Sequence, residues 1–171
     1  MAADERIFVG LGANLGDAVA SVQAAFAHLA HLGRFGAGPP TSLVAASGLY
    51  RSAPLDAAGP DYVNAVVELR SGLEPLVLLA QLQTVELSFG RQRPYRHAPR
   101  TLDLDLLFYG ERQLAGPVLT LPHPRAHQRA FVLAPLAELA PDWRMADGRS
   151  VVQALAALAA DPAQRTQRIP P

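Results

Sequence analysis

Residues 100–110, RTLDLDLLFYG, alternate acid and leucine within a run whose composition otherwise belongs to a protein interior. In a β-strand alternate side chains share a face, so Asp103 and Asp105 project together to one side and Leu102, Leu104 and Leu106 to the other. The leucine face demands a core. The acidic face cannot be buried unless something cationic holds both carboxylates ionised or one of them takes a proton. A chain with such a strand needs a sheet packed on one side and open to a site on the other. Two adjacent hard oxygen donors suit Mg²⁺. The competing explanation is a polar strand face paired with arginine, and the four Arg between positions 91 and 100 keep it open.

The patterns flanking this strand predict the rest of the fold. RIFVGLG (6–12) is a short apolar run closed by glycines, which predicts a central strand and then a tight turn, with Asn14 or Asp17 capping a helix. Val19, Val22, Phe26, Leu29 and Ala30 recur at helical spacing and predict an amphipathic helix over 18–32, ended by Gly33 and GAGPP. Residues 42–52 and 62–71 have strand composition, and the loop between them, APLDAAGPD, is long enough to carry function. Leu76, Leu79, Leu82, Val85 and Leu87 follow Glu74-Pro75 and predict a second helix stopped by Gly90. Beyond the strand at 101–109 come a turn at Gly110, LPHPRAHQRAF, a short helix near 131–139 and an amphipathic helix at 151–160, with a frayed tail after Asp161. Strand, helix, strand, strand, helix, strand is the ferredoxin-like βαββαβ order. The fold class predicted is α+β, with an antiparallel sheet, C-terminal helical additions and one domain over 1–171.

Composition narrows the chemistry. With 171 residues, half of them hydrophobic, and zero net charge, the chain can bury a core without staples. It has no cysteine, which excludes disulfides and thiolate chemistry, and all 15 of its basic residues are Arg, which excludes Schiff-base and P-loop lysine chemistry. The start of the chain lacks the basic flank and long apolar stretch of a signal peptide, and no run of about 18 apolar residues occurs, so a cytoplasmic protein is expected. Seven Arg (91, 93, 96, 100, 112, 125, 129) face three acids between positions 91 and 129. Carboxylates binding metal beside several arginines imply an anion of high charge between them, and arginine's planar fork matches phosphate. Gly90, Pro94, Ala98 and Pro99 make GRQRPYRHAPR a loop able to close over a ligand. His123, in LPHP, and Arg129 lie within reach of the same phosphates, while Tyr62, Asn64 and Phe131 are ordinary strand and helix residues until placed beside a ligand.

GLGANLGD, SGLYRSAPL, GPDYVNAVVEL, the E-x(3)-GRxR segment that starts at Glu86, and above all PRTLDLDLLFYG followed by LPHP together resemble the 6-hydroxymethyl-7,8-dihydropterin pyrophosphokinase family over residues 6–143. The resemblance implies ATP and two Mg²⁺ ions, and transfer of the β,γ-diphosphate to the pterin hydroxymethyl group with release of AMP in folate biosynthesis. By position it implies Asp103 and Asp105 as magnesium ligands, with Asp105 helping to deprotonate the attacking hydroxyl, and Arg91 and Arg100 in the transfer. It implies Gln83, Glu86, Arg93, Leu106, Leu119, Thr120, His123 and Arg129 around ATP, and Leu55, Tyr62, Asn64 and Phe131 around the pterin. A flat heterocycle wants an aromatic wall and an amide that both donates and accepts, which Phe131 and Asn64 supply. The sequence departs from the family at a shorter arginine loop, at His97 where Trp is expected, at Pro124 where some members have Tyr, and at Ala53. A monomer without nucleic-acid or membrane partners is the family expectation.

Two other functions fit the same fold. A palm-type two-metal nucleotidyltransferase shares the aspartate pair but not the pterin pocket. A non-catalytic RNA-binding module shares the basic loops, but 6% aromatic residues and the carboxylate pair argue against it.

Overall fold

A computed structural model describes residues 5–32, 38–55, 58–90 and 101–171. Along the chain the elements are β1 (Glu5–Ala13), α1 (Ala18–Ala30), β2 (Thr41–Ala46), β3 (Tyr50–Ser52), β4 (Tyr62–Ser71), α2 (Pro75–Ser88), β5 (Asp103–Tyr109), β6 (Leu114–Ala115), β7 (Thr120–Leu121), α3 (Ala130–Leu139), α4 (Val151–Ala157) and β8 (Thr166–Arg168). The main sheet is antiparallel, in the order β5-β1-β4-β3-β8 with β2 also paired to β4; β6 and β7 form a separate hairpin.

β4 organises the sheet because its sequence, YVNAVVELRS, is apolar enough to be buried on both faces. Val63, Ala65, Val67 and Leu69 turn to one core, where α1 and α2 contribute Val22, Leu29, Leu78 and Leu82. Val66 turns to the other, where α3 and α4 contribute Leu133, Leu136, Val151 and Ala154. Burying each such Val or Leu stabilises the fold by about 1.5–3 kcal/mol. Local signals set the helix starts: the Asp17 carboxylate accepts the Ala20 N–H at 3.0 Å, Pro75 opens α2, and Ser150 with Gln153 forms a capping box on α4.

The predicted alternation holds at the start of β5, where Leu102, Leu104 and Leu106 enter the α1–α2 core. It then breaks. Val9 pairs with Leu106 but Phe8 with Phe108, so a bulge at Leu107 lets both Leu107 and Phe108 enter the α3–α4 core and returns Tyr109 to the opposite one. There the Tyr109 hydroxyl donates to the Leu73 carbonyl. Phe108 meets Phe8 and Trp143 edge-on, and Arg6 lies 5.2 Å over the Phe8 ring and 5.5 Å over that of Trp143. Arg6 also donates to both oxygens of buried Glu68, at 2.8 and 2.9 Å.

Three expectations need correction. The strand over 42–52 is two strands, because the backbone of Ser47 and its hydroxyl take the carbonyl and N–H of Val66 and interrupt the ladder. The glycines at 10 and 12 do not end the first strand; β1 runs through them to Ala13. The tail after Asp161 is not frayed: β8 pairs with β3, and Arg168 donates to Glu138 of α3 at 3.0 Å. Among the described residues no helix is long and apolar enough to cross a membrane.

Candidate active site

The α3–α4 layer covers only part of its face of the sheet. Where it stops, β1 places two glycines between its neighbours: Asp103 pairs with Gly12 and Gly12 with Asn64, while Asp105 pairs with Gly10 and Gly10 with Val66. A Cβ on Gly12 would lie 3.5 Å from Asn64 Oδ1 and 3.8 Å from Tyr62. The missing side chains leave a floor, and above it lies a cavity of about 470 Å³ lined by Asp103, Asp105, Tyr62, Asn64, Arg129 and Phe131, with Leu55, Ser52 and Gln164 at its wall. That volume is within the range of roughly 300–1,000 Å³ common for small-molecule sites.

Each wall is held from behind. Asn64 is buried, and its Nδ2 donates to the Ser52 hydroxyl at 2.8 Å, which orients the amide towards the cavity floor. Arg129 precedes α3 and lies 5.5 Å over the Phe131 ring, so a cation and an aromatic reach the same cavity from one helix start. His123 is tied to β5 by its backbone N–H, which donates to Leu107 at 2.8 Å. Burial pushes the His123 imidazole down to about 4, aided by Arg129 and Arg125 and opposed by Asp103. The ring is therefore neutral at neutral pH. Its Nδ1 accepts the Arg125 N–H at 3.2 Å, so the proton sits on Nε2, where it can be donated.

Seven of the residues singled out in the sequence thus meet at one cavity: Asp103, Asp105, Leu55, Tyr62, Asn64, Arg129 and Phe131. His123 is not on the cavity lining but lies near enough for the charges of Arg129 and Asp103 to act on its ring. Others stand apart. Gln83 is exposed on α2, Thr120 is exposed on β7, and Leu119 packs against the α1–α2 core. Glu86 and Leu106 are each 3% exposed, behind the sheet rather than over it. Glu86 Oε1 accepts the Leu104 N–H at 2.8 Å, which satisfies a donor on an edge strand. Arg91, Arg93, Arg96, His97 and Arg100 lie outside the described residues. Sequence reasoning missed Gly10, Gly12, Ser52 and Gln164; only the glycines carried a signal, since they repeat the one-residue spacing of the aspartates.

Among the described residues no three His, Asp or Glu side chains converge in a way that could hold a metal ion. Two carboxylates on one strand face are nonetheless the donor set Mg²⁺ takes when it keeps several waters and completes its shell with substrate phosphates. The residues fit that ion.

The family model for 7,8-dihydro-6-hydroxymethylpterin-pyrophosphokinase matches residues 8–141. The chain belongs to this family. It is 47% identical over 167 residues to the 2-amino-4-hydroxy-6-hydroxymethyldihydropteridine pyrophosphokinase of Pseudomonas aeruginosa, covering 97% of this chain and 98% of that one. The enzyme of the same name from Synechocystis is 44% identical over 146 residues, covering 85% of this chain and 72% of the other. Among solved structures, an HPPK-DHPS in complex with substrates superposes with a TM-score of 0.72 at 10% identity over 96% of this chain and 48% of that one. A Plasmodium falciparum HPPK-DHPS with pterin and p-hydrobenzoate gives 0.69 at 11% identity, covering 96% and 47%. The chain spans about half the length of these structures, which at that identity speak for the fold alone. The matched stretch ends before α4 and β8, so the pyrophosphokinase family match contains both aspartates and Phe131 but not Gln164.

Proposed function

We propose that the chain transfers the β,γ-diphosphate of ATP as one unit to the hydroxymethyl oxygen of 6-hydroxymethyl-7,8-dihydropterin, releasing AMP, in folate biosynthesis. One observation carries the reading: Gly12 joins Asp103 to Asn64 across the sheet, so an acidic pair and an amide with aromatic neighbours share one cavity. In this reading Asn64 pairs with the edge of the flat ring, Phe131 and Tyr62 pack against its faces, and Leu55 closes the side.

The pterin oxygen bonds to the β-phosphorus while the bond from that phosphorus to the α,β-bridging oxygen breaks; AMP keeps that oxygen and the hydroxyl proton leaves. Asp105 takes up or steers the proton. Asp103 and Asp105 hold two Mg²⁺, which when bound supply charge neutralisation on the phosphates. Arg91 and Arg100 meet the charge that develops on the transferred group, and Arg93, Arg129, Gln83, Thr120, Leu119 and His123 hold the nucleotide. His123, neutral, donates from Nε2 without adding charge. Glu86 and Leu106 act from behind β5 by setting the strand that carries the aspartates.

The ferredoxin-like class is part of the proposal and is supported by the order β5-β1-β4-β3 with α1 and α2 on one face. One domain over 1–171, a monomer and a cytoplasmic address complete it. The test is AMP release from ATP with Mg²⁺ and hydroxymethyldihydropterin. Pterin-dependent AMP is the expected result, and its absence would sink the reading.

A further inference from the structure

α3 begins without a side-chain cap. Its N-cap residue, Arg129, offers no acceptor, so the first N–H groups need partners from elsewhere. Ala130 N–H finds one at long range: it donates to Gln164 Oε1 at 3.0 Å, across 34 residues of sequence. The two residues flanking Ala130 are Arg129 and Phe131, both on the cavity wall, and Gln164 lines that wall itself.

Gln164 is in turn held firmly. It closes a 3-10 turn, Pro162–Gln164, whose cap Asp161 accepts the Ala163 N–H at 2.9 Å. The chain then enters β8, where Thr166 pairs with Ser52, the residue that orients Asn64. Arg168 donates to Glu138 further along α3, and Ile169 N–H donates to Leu49 at 2.8 Å. The segment 161–169 therefore bridges both walls of the cavity, β3 on one side and the start of α3 on the other.

We propose that Gln164 is a positioning residue of the pterin pocket, fixing the Arg129-Ala130-Phe131 segment through Ala130, and that the C-terminal segment is part of the active-site architecture. The inference rests on the pterin reading of the cavity. Gln164 acts on the ring wall through the backbone, so its loss shifts recognition of the pterin more than recognition of ATP.

The experiment compares wild type, Gln164→Met, which keeps length without an acceptor, and Gln164→Glu, which keeps the acceptor. For each, KM is measured separately for hydroxymethyldihydropterin and for ATP, with kcat and Tm. Gln164→Met is expected to raise the pterin KM about five- to tenfold, the scale of one hydrogen bond, and the ATP KM, which depends on this segment only through Arg129, by no more than about twofold. Gln164→Glu is expected to return it to within about twofold of wild type. An unchanged pterin KM in Gln164→Met, or a parallel rise in both KM values that tracks a fall in Tm and is not rescued by Gln164→Glu, would overturn the proposal. Wild-type protein that releases no AMP would overturn the pocket assignment and this inference with it, whereas active wild type with an indifferent Gln164→Met overturns this inference alone.

Discussion

Asp103 and Asn64 lie on one row across the sheet, each paired to Gly12 from opposite sides. The carboxylate end and the amide end of the cavity are therefore separated by a single glycine, and the space between them exists because that residue has no side chain.

Gly12→Val should abolish much of the pterin recognition while sparing the fold. The backbone there is not in the left-handed region, and a Cβ makes only ordinary contacts, but the two methyls of valine stand in the cavity. The expected outcome is a pterin KM raised at least roughly tenfold, with Tm within a few degrees of wild type. A variant with normal pterin KM would show that the cavity floor is not where the ring binds.

Asp105→Ala removes one of the two hard donors and the group nearest the reacting hydroxyl in the proposed pose. AMP formation should fall by roughly 10²–10⁴-fold or more, with pterin binding in the presence of an ATP analogue largely kept. Single-turnover measurements separate the two, and near-normal turnover would remove Asp105 from the chemistry.

Glu68 supplies a pH-dependent part of the stability. Its hydrogen bonds with Arg6 hold the carboxyl below the usual glutamate range, against the opposing effect of burial. A carboxyl lowered in the folded state contributes stability that is fully present above its unfolded pKa and lost as pH falls through the folded one. Glu68→Gln should cost about 1 kcal/mol at neutral pH, discounted for the partly exposed Arg6, and should flatten the loss of stability below the ordinary glutamate range. Urea titrations of both proteins from neutral to acid pH check this, and parallel curves would refute it.

Glu138 gathers three donors: the Tyr50 hydroxyl, the Gly48 N–H at 2.9 Å and Arg168 Nε at 3.0 Å. Glu138→Ala should release β8 before the rest of the sheet. Hydrogen exchange at Ile169, whose N–H bonds to Leu49, is expected to rise by at least an order of magnitude, while exchange in β4 stays slow. Equal acceleration in both strands would mean that the contact stabilises the whole domain instead.

How far these features were legible in the sequence depended on the range of the forces that make them. β4 and α2 declare themselves locally: an apolar run bounded by turn residues, and leucines at helical spacing behind Glu74-Pro75. The faces of Asp103 and Asp105 followed from pleating alone. Gly10 and Gly12 were misread because glycine signals both a turn and an open place in a strand, and only the pairing with Asn64 and Asp103 distinguishes the two. The break at Ser47 and the strand at 166–168 arise from long-range partners, Val66 and Tyr50, that no local pattern encodes. Gln164 had no signal at all, since one polar residue in a polar tail looks like solvent-exposed chain until Ala130 is beside it.

The bond from Leu104 N–H to Glu86 has a consequence outside catalysis. β5 is an edge of the sheet, and an edge strand rich in leucine, LDLDLLFY, is the kind of segment on which a second molecule adds its own strand. Glu86 occupies one of the outward donors that such an addition requires, from a buried position on a helix packed against the strand. Self-association through this edge must first expel a buried carboxylate, so the strand that bears the acidic pair is guarded against aggregation by the helix behind it.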